Sequence, residues 1–274
     1  LGHQALESNT TGFGNSANGA QALQDNTTGD NNTANGTYAL KNNTAGDHNT
    51  ANGTFALTSS TTGFSNTAIG YTALANNTTG SGNVALGYAA GYNLTIGDNN
   101  ICIANQGVAA ESNTIRIGTA ATHTKAFVAG IRGVTTVNAN AIPVLIDTAG
   151  QLGTTSSSRE VKQDIAALGA TSERLLGLRP VSFRYKEQAA RGDTTPQFGL
   201  IAEEVEEVFP ELVVYDARGK PETVKYHLLV PLLLNELQRL ERRVEAAERR
   251  WDDGCAAPTA AARAREGSSA PPRR

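Results

Sequence analysis

At 274 residues and a formal charge of −3, the chain gives no electrostatic reason to bind nucleic acid or an anionic membrane. No apolar run approaches the roughly 20 residues that span a bilayer, and metalloprotease, paired-cysteine and phosphate-loop motifs are missing, so neither metal nor cofactor is expected. The absence of methionine and the start at Leu1 mark a fragment or processed product, whose export signal would lie out of view.

Charge is unevenly distributed: 11 of the Asp, Glu, Lys and Arg residues fall in 1–150 and 38 in 151–274. Two differently built halves follow. Cys102 and Cys255 are distant and sit in regions of different type, so they are expected as separate thiols.

The first half repeats every 17 residues. Ala-Leu recurs at Ala5-Leu6, Ala22-Leu23, Ala39-Leu40, Ala56-Leu57 and Ala73-Leu74. One glycine series runs Gly12, Gly29, Gly46, Gly63, Gly80; a second runs Gly19, Gly36, Gly53, Gly70, Gly87, each four residues after an Asn. A repeat with one or two sizeable apolar side chains buries nothing alone, so copies must stack and share a thin interior. Gly, Asn and Thr exclude helix. A β-solenoid or β-roll remains, with short strands such as Asn66 to Ile69, glycine at corners that need positive φ, and Asn or Thr stacked in ladders. Asn-x-Thr triplets such as Asn9-Thr10-Thr11 follow from composition.

From Asn99 the period gives way to alternating pieces: Ile101-Cys102-Ile103, Ile115-Arg116-Ile117 and Phe127 to Ile131, each expected as a half-buried strand. Cys102 points away from the Ile101/Ile103 face and reads as a packed thiol. Residues 143–146 and 151–154 flank the turn-forming Asp147 to Gly150 as a hairpin.

Past Ser156 the pattern is α+β. A short helix is expected at Val161 to Leu168 with Ser157 or Ser158 as N-cap, and a second from Thr171 to Leu176, stopped by Pro180. Val181 to Tyr185 reads as a strand, Glu187 to Pro196 as a polar loop, and Phe198 to Ile201 as a strand feeding a helix at Ala202 to Val208. Glu203, Glu204, Glu206 and Glu207 form that helix's solvated face. A hairpin joins 212–214 to 222–226 across the turn at 217–220. The last ordered element is a helix from about Leu229 to Trp251. Val230, Leu233, Leu237, Leu240, Val244, Ala247 and Trp251 fall on one seam at alternating steps of 3 and 4, as in a coiled coil. A lone amphipathic helix lying on its own domain is the alternative. The tail beyond, rich in Ala, Pro, Ser and Arg, is expected to be disordered.

Serine with lysine is the one chemistry left. A hydroxyl attacks a carbonyl when a base takes its proton, and a lysine serves if burial lowers its pKa from about 10.4 toward 7 or 8. In an ideal helix Lys162 shares a face with Ser158, not Ser157.

The repeats, most clearly Asn66 to Leu74, resemble the head repeats of trimeric bacterial adhesins and phage tail fibres, which implies three chains side by side. Ser157 to Ile165, Leu175 to Tyr185, Phe198 to Leu212 and Tyr226 to Leu237 resemble the intramolecular chaperone auto-processing domain at the C-termini of phage endosialidases, other tail spikes, bacterial tail-fibre-like proteins and a membrane-tethered animal transcription factor. This chain has Glu160 and Val161 where that family commonly has Arg and an aromatic. The resemblance implies a domain that nucleates trimeric folding of the fibre and then cuts itself off at Ser156-Ser157, with Ser157 as nucleophile and Lys162 as general base. An uncleaved structural fibre or surface adhesin is the alternative.

The expected fold is therefore a β-solenoid or β-roll at 1–98, a β-rich neck at 99–155, a small α+β auto-processing domain at 156–228, a trimeric coiled-coil helix at 229–252 carrying Leu233, Leu237, Leu240 and Val244, and a disordered tail at 253–274. The expected partners are two further copies in a homotrimer and an unidentified host-surface or glycan receptor. The expected location is a virion tail fibre or bacterial cell surface.

Overall fold

The computed structural model describes residues 2–256, and the chain divides into two compact units between Ala139 and Asn140. In the first unit each coil supplies one three-residue strand: β1 Ser16–Asn18, β2 Thr33–Asn35, β3 Thr50–Asn52, β4 Thr67–Ile69, β5 Val84–Leu86, β6 Ile101–Ile103 and β7 Ile115–Ile117. They pair in parallel and in chain order as one seven-stranded sheet. The register is set by the repeat, with Thr33 opposite Thr50 and Thr50 opposite Thr67.

Each strand turns its middle residue inward. Ala34, Ala51, Ala68, Ala85 and Cys102 stack there against Leu23, Leu40, Leu57 and Leu74, all buried. The interior is one side chain thick, which is why only stacking makes it. Cys102 continues the alanine column opposite Ala85, as a free thiol whose pKa burial pushes up.

Two asparagine columns tie the coils together. In the first, Asn49 Nδ2 donates to Asn32 Oδ1 at 3.1 Å and to the Gly63 carbonyl at 2.8 Å, and Asn66 repeats the pattern on Asn49 and Gly80. In the second, Asn26 Nδ2 donates to Asn9 Oδ1 at 2.6 Å and Asn43 to Asn26 at 2.7 Å. Such fully buried amides are tolerable where both ends are paired, as in Asn26 and Asn49; Asn43 Oδ1, next to Ser60 in the column, has no partner.

The two glycine series have different causes. Gly53 sits at φ 149°, and a Cβ there would run into the Gly70 carbonyl. Gly63 needs no positive φ; a Cβ would instead meet the Gly80 carbonyl and crowd Ser60 and Asn66. The expectation of positive φ at both corners is corrected for that series. The left-handed region is also occupied by leucine: Leu23, Leu40, Leu57 and Leu74 lie at φ 50° to 51°. Burial of the leucine offsets a backbone cost of about 1–2 kcal/mol.

The solenoid also runs on past the boundary expected at residue 98. β6 keeps the 17-residue register on β5, and β7 joins after a shorter coil, with Ile101 opposite Ile115. Glu111 and Arg116, 2.7 Å apart, form an ion pair at this end. Phe127 to Ile131, expected as a half-buried strand, forms none; Phe127 is 92% exposed. An alternating segment becomes a strand only where a sheet edge accepts it.

The second unit holds β8 Leu145–Ile146, β9 Leu152–Gly153, β10 Val181–Phe183, the helix α1 Lys186–Ala190, β11 Gln197–Gly199, α2 Ala202–Val208, β12 Val213–Tyr215, β13 Pro221–Val224 and α3 Leu229–Ala256. Three antiparallel pairs result: β8 with β9, β10 with β11, and β12 with β13. The first stretch of the expected polar loop at 187–196 is helical as α1. The core is small: Val205, Phe209, Leu212, Val213, Val224 and Leu232 are buried, with Leu175, Leu178, Leu200 and Leu229 packed against them. The expected tail at 253–274 begins inside α3, and residues 257–274 lie outside the described residues.

Candidate functional site

The segment carrying the serines is delivered by the β8–β9 hairpin. Asp147 closes its turn by accepting from the backbone N–H groups of Ala149 and Gln151, both at 2.9 Å, and Gly150 takes φ 84° beside it. Beyond β9 the chain is exposed from Thr154 to Thr171. Ser158 N–H donates to Ser156 Oγ at 3.2 Å, and Ser158 Oγ accepts from Glu160 N–H at 3.2 Å. This places Ser158 as the N-cap of a single 3₁₀ turn, Arg159–Val161. Lys162 then returns to extended backbone at φ −117°, and Asp164 takes φ 54°.

The helix expected at Val161 to Leu168 is therefore not formed. In its place a three-residue turn begins two positions earlier, at Arg159, and an extended Lys162 followed by a left-handed Asp164 stops it. Pairing Lys162 with Ser158 on one helical face thus has no helix to act through. Ser158 is occupied as a cap, and Ser157 lies outside the turn with an exposed side chain. Among the described residues Ser157 and Lys162 make no hydrogen bond to each other, and both are exposed.

Downstream, polar contacts anchor the elements that follow. Ser172, fully buried within the 3₁₀ helix Gly169–Gly177, donates to Glu236 at 2.9 Å and accepts from Asn235 at 2.6 Å, both on α3. Arg239 adds an ion pair to Glu173. Arg174 donates to the Val208 carbonyl at 2.7 Å, pairs with Glu211 and lies 4.0 Å over the Phe209 ring. That pairing holds the Glu211 carboxyl below its usual range. The sequence reading took Ser172 for part of a helix start and missed this network, since its partners lie more than 60 residues away.

The glutamates of α2 behave as a solvated face. Val205 is buried beneath them, and Glu204 pairs outward with Arg179, whose guanidinium lowers the Glu204 pKa. No group of three His, Cys, Asp or Glu residues that could hold a metal occurs among the described residues. None of the described helices is long and apolar enough to cross a membrane.

Helix α3 has two separate stripes. Leu229, Leu232, Asn235, Glu236 and Arg239 face the unit it belongs to. Val230, Leu233, Leu237, Leu240 and Val244 remain exposed, Leu237 by 63%. The helix does lie on its own domain, but not through its heptad seam. Beside it opens an apolar groove of about 590 Å³ lined by Leu178, Val181, Phe198, Leu200, Tyr226 and Leu233. Leu233 thus belongs to both the groove and the seam.

No curated protein matches the chain. Residues 157–214 match the sequence model of the family described as chaperone of endosialidase, a match that opens at Ser157 and ends inside β12. Residues 157–214 are thus similar to the chaperone domain of endosialidases, and they follow the β-solenoid in sequence.

Proposed function

We propose that this chain is the C-terminal part of a tail-fibre or tail-spike-like protein, whose chaperone domain joins three copies in register and then severs itself. The observation that carries the reading is the α3 seam: a ladder of leucine and valine exposed along a helix whose other stripe is already satisfied. Exposed apolar surface at heptad spacing is stable only against other helices, and burying each such side chain contributes about 1.5–3 kcal/mol. The family match supports both the chaperone role and self-cleavage.

In the proposed cleavage Lys162 is the base that takes the proton of Ser157 Oγ as that oxygen attacks the carbonyl carbon of Ser156. The C–N bond breaks as the nitrogen takes the proton back, leaving an ester between Ser156 and Ser157. Water then hydrolyses the ester to a carboxylate at Ser156 and a free amino-terminal Ser157. Ser157 and not Ser158 is the nucleophile in this reading, a choice supported by the engagement of Ser158 Oγ with the Glu160 N–H as the cap of the turn. Once released, the fibre is kinetically locked, the domain that lowered its assembly barrier having gone. The fibre would act on a virion or bacterial surface, toward a receptor such as a glycan.

The exposure of Lys162 favours one second reading, in which the domain stays attached as an uncleaved cap on a structural fibre or adhesin. Intact masses and denaturing gels of the wild type, Ser157→Ala, Ser158→Ala and Lys162→Ala separate the two. Self-cleavage predicts a C-terminal fragment starting at Ser157 in wild type and Ser158→Ala only. Full-length wild type leaves the uncleaved cap.

A further inference from the structure

The last coil breaks the repeat at two positions, and the two replacements hold each other. In the three coils before it a glycine stands five residues ahead of the buried strand centre: Gly63 and Ala68, Gly80 and Ala85, Gly97 and Cys102. In the coil of β7 those places belong to Glu111 and Arg116. The asparagine column identifies the first: Asn66 donates to the Gly80 carbonyl at 2.9 Å, Asn83 to that of Gly97 at 2.8 Å, and Asn100 to that of Glu111 at 2.8 Å. Strand register identifies the second, Arg116 lying opposite Cys102. Arg116 Nε donates to Glu111 Oε1 at 3.0 Å and Nη2 to Oε2 at 2.7 Å, while Glu111 Oε1 also accepts from the Val108 N–H at 2.8 Å.

Both replacements are compatible only with an end. A Cβ on Gly63 would run into the Gly80 carbonyl, one on Gly80 into that of Gly97, and one on Gly97 into that of Glu111. Each coil thus leaves that spot to the next coil's carbonyl, and Glu111 fills it with its own Cβ. At the strand centre a guanidinium replaces the alanine column, and a further rung would bury it with its carboxylate, stripping water from both charges. The strand is otherwise a ready template. Val84 and Ile101, first in their strands, donate their N–H groups forward to the Asn100 and Thr114 carbonyls at 2.8 and 2.9 Å. Among the described residues no coil follows Ile115 to accept in the same way. Ile115 and Ile117 are 66% and 73% exposed. Such an edge recruits strands unless something blocks it, and an inward-pointing charge is one such block.

We infer that Glu111 and Arg116 terminate the solenoid at β7 and keep its edge from taking a coil of another copy, stacked head to tail. A coil of the same repeat is the partner that edge fits, because glycine, asparagine and alanine would fall on their own kind. Head-to-tail contacts do not close and would run on as filaments. The block is axial and operates with or without association through α3.

The test puts the repeat residues back. The full chain carrying Ser157→Ala and Leu237→Asp, to prevent release and suppress association through α3, is compared with the same chain carrying Glu111→Gly and Arg116→Ala as well. Light scattering and electron microscopy over a range of concentrations should show filaments of about ten chains or more in the restored chain and a constant mass in its parent. A restored chain that keeps the first unit's melting transition and a constant mass overturns the inference, as do filaments of the parent. If the amides of Phe127 to Ile131 become protected from hydrogen exchange without growth, the chain's own neck takes the edge and the head-to-tail block is refuted. A second restoration, Glu111→Gly with Arg116→Cys under reducing conditions, copies the coil of Gly97 and Cys102 and guards against an underfilled core. Loss of the first unit's transition in both restorations would make the pair a brace for the last coil and overturn the block.

Discussion

Ser60→Asn should stabilise the solenoid. The second asparagine column runs Asn9, Asn26, Asn43 and then meets Ser60 before resuming at Asn77. Ser60 is fully buried, and its hydroxyl oxygen, like Asn43 Oδ1, finds no partner. Asn26 shows what an asparagine does there: its Nδ2 reaches Asn9 Oδ1 at 2.6 Å and the Gly29 carbonyl at 3.0 Å, and its Oδ1 accepts from Asn43. By the repeat, an asparagine at 60 would donate to Asn43 Oδ1 and the Gly63 carbonyl and accept from Asn77. Three hydrogen bonds at about 1 kcal/mol each, less about 1 kcal/mol for ordering the longer side chain, leave roughly 2 kcal/mol. At about 3 °C per kcal/mol for a unit of this size, the melting temperature should rise by roughly 6 °C. Calorimetry and urea titration of the first unit's transition measure this, with Ser60→Ala as reference. A neutral or lowered midpoint for Ser60→Asn, or equal gains for both variants, would refute the ladder as a source of stability.

Leu57→Ala should cost about 2–5 kcal/mol in the same urea titration, because it empties a fully buried site in the one-side-chain-thick interior. Ser172→Ala should lower the stability of the second unit by about 1–3 kcal/mol, since Asn235 and Glu236 lose their buried partner, whereas the exposed Ser157→Ala should leave that transition unmoved. Glu111 supplies a pH test. Burial opposes its ionisation, but the hydrogen bonds from Arg116 outweigh that and hold its folded pKa below the usual carboxylate value. A depressed folded pKa means that the pair's contribution is present at neutral pH. It is lost as pH falls below about 4.3, the unfolded value, and through the folded one. Midpoints measured between pH 6 and 3 should therefore fall more steeply for wild type than for Glu111→Gln.

Much of the fold was legible because it is periodic. The 17-residue spacing fixed which residues stack: most of the buried alanines and leucines are those of the Ala-Leu series and the strand centres, with Leu94 filling the core where the series has ended. The hairpin at Asp147 to Gly150 and helix α2 followed from local turn and stop chemistry. What stayed hidden is non-local or conformational. Leucines at positive φ contradict residue preference and are held there by burial and by their N–H groups bonding to the next coil, as Leu40 does to the Ala56 carbonyl. The last coil kept its strand but shortened its loop, so Ile115 to Ile117 read as a neck although it closes the sheet. At the candidate site the local pattern promised a helix at Val161, but backbone geometry at Lys162 and Asp164 ended it after one turn. The Ser172 network joins residues far apart in sequence and left no local signal.

Light scattering on the uncleaved Ser157→Ala chain over a range of concentrations tests the core of the account. Assembly through the exposed stripe of α3 predicts three times the mass of one chain, falling toward a single chain when Leu237→Asp places a charge in the seam. A single-chain mass at high concentration would contradict it, whatever the serine does.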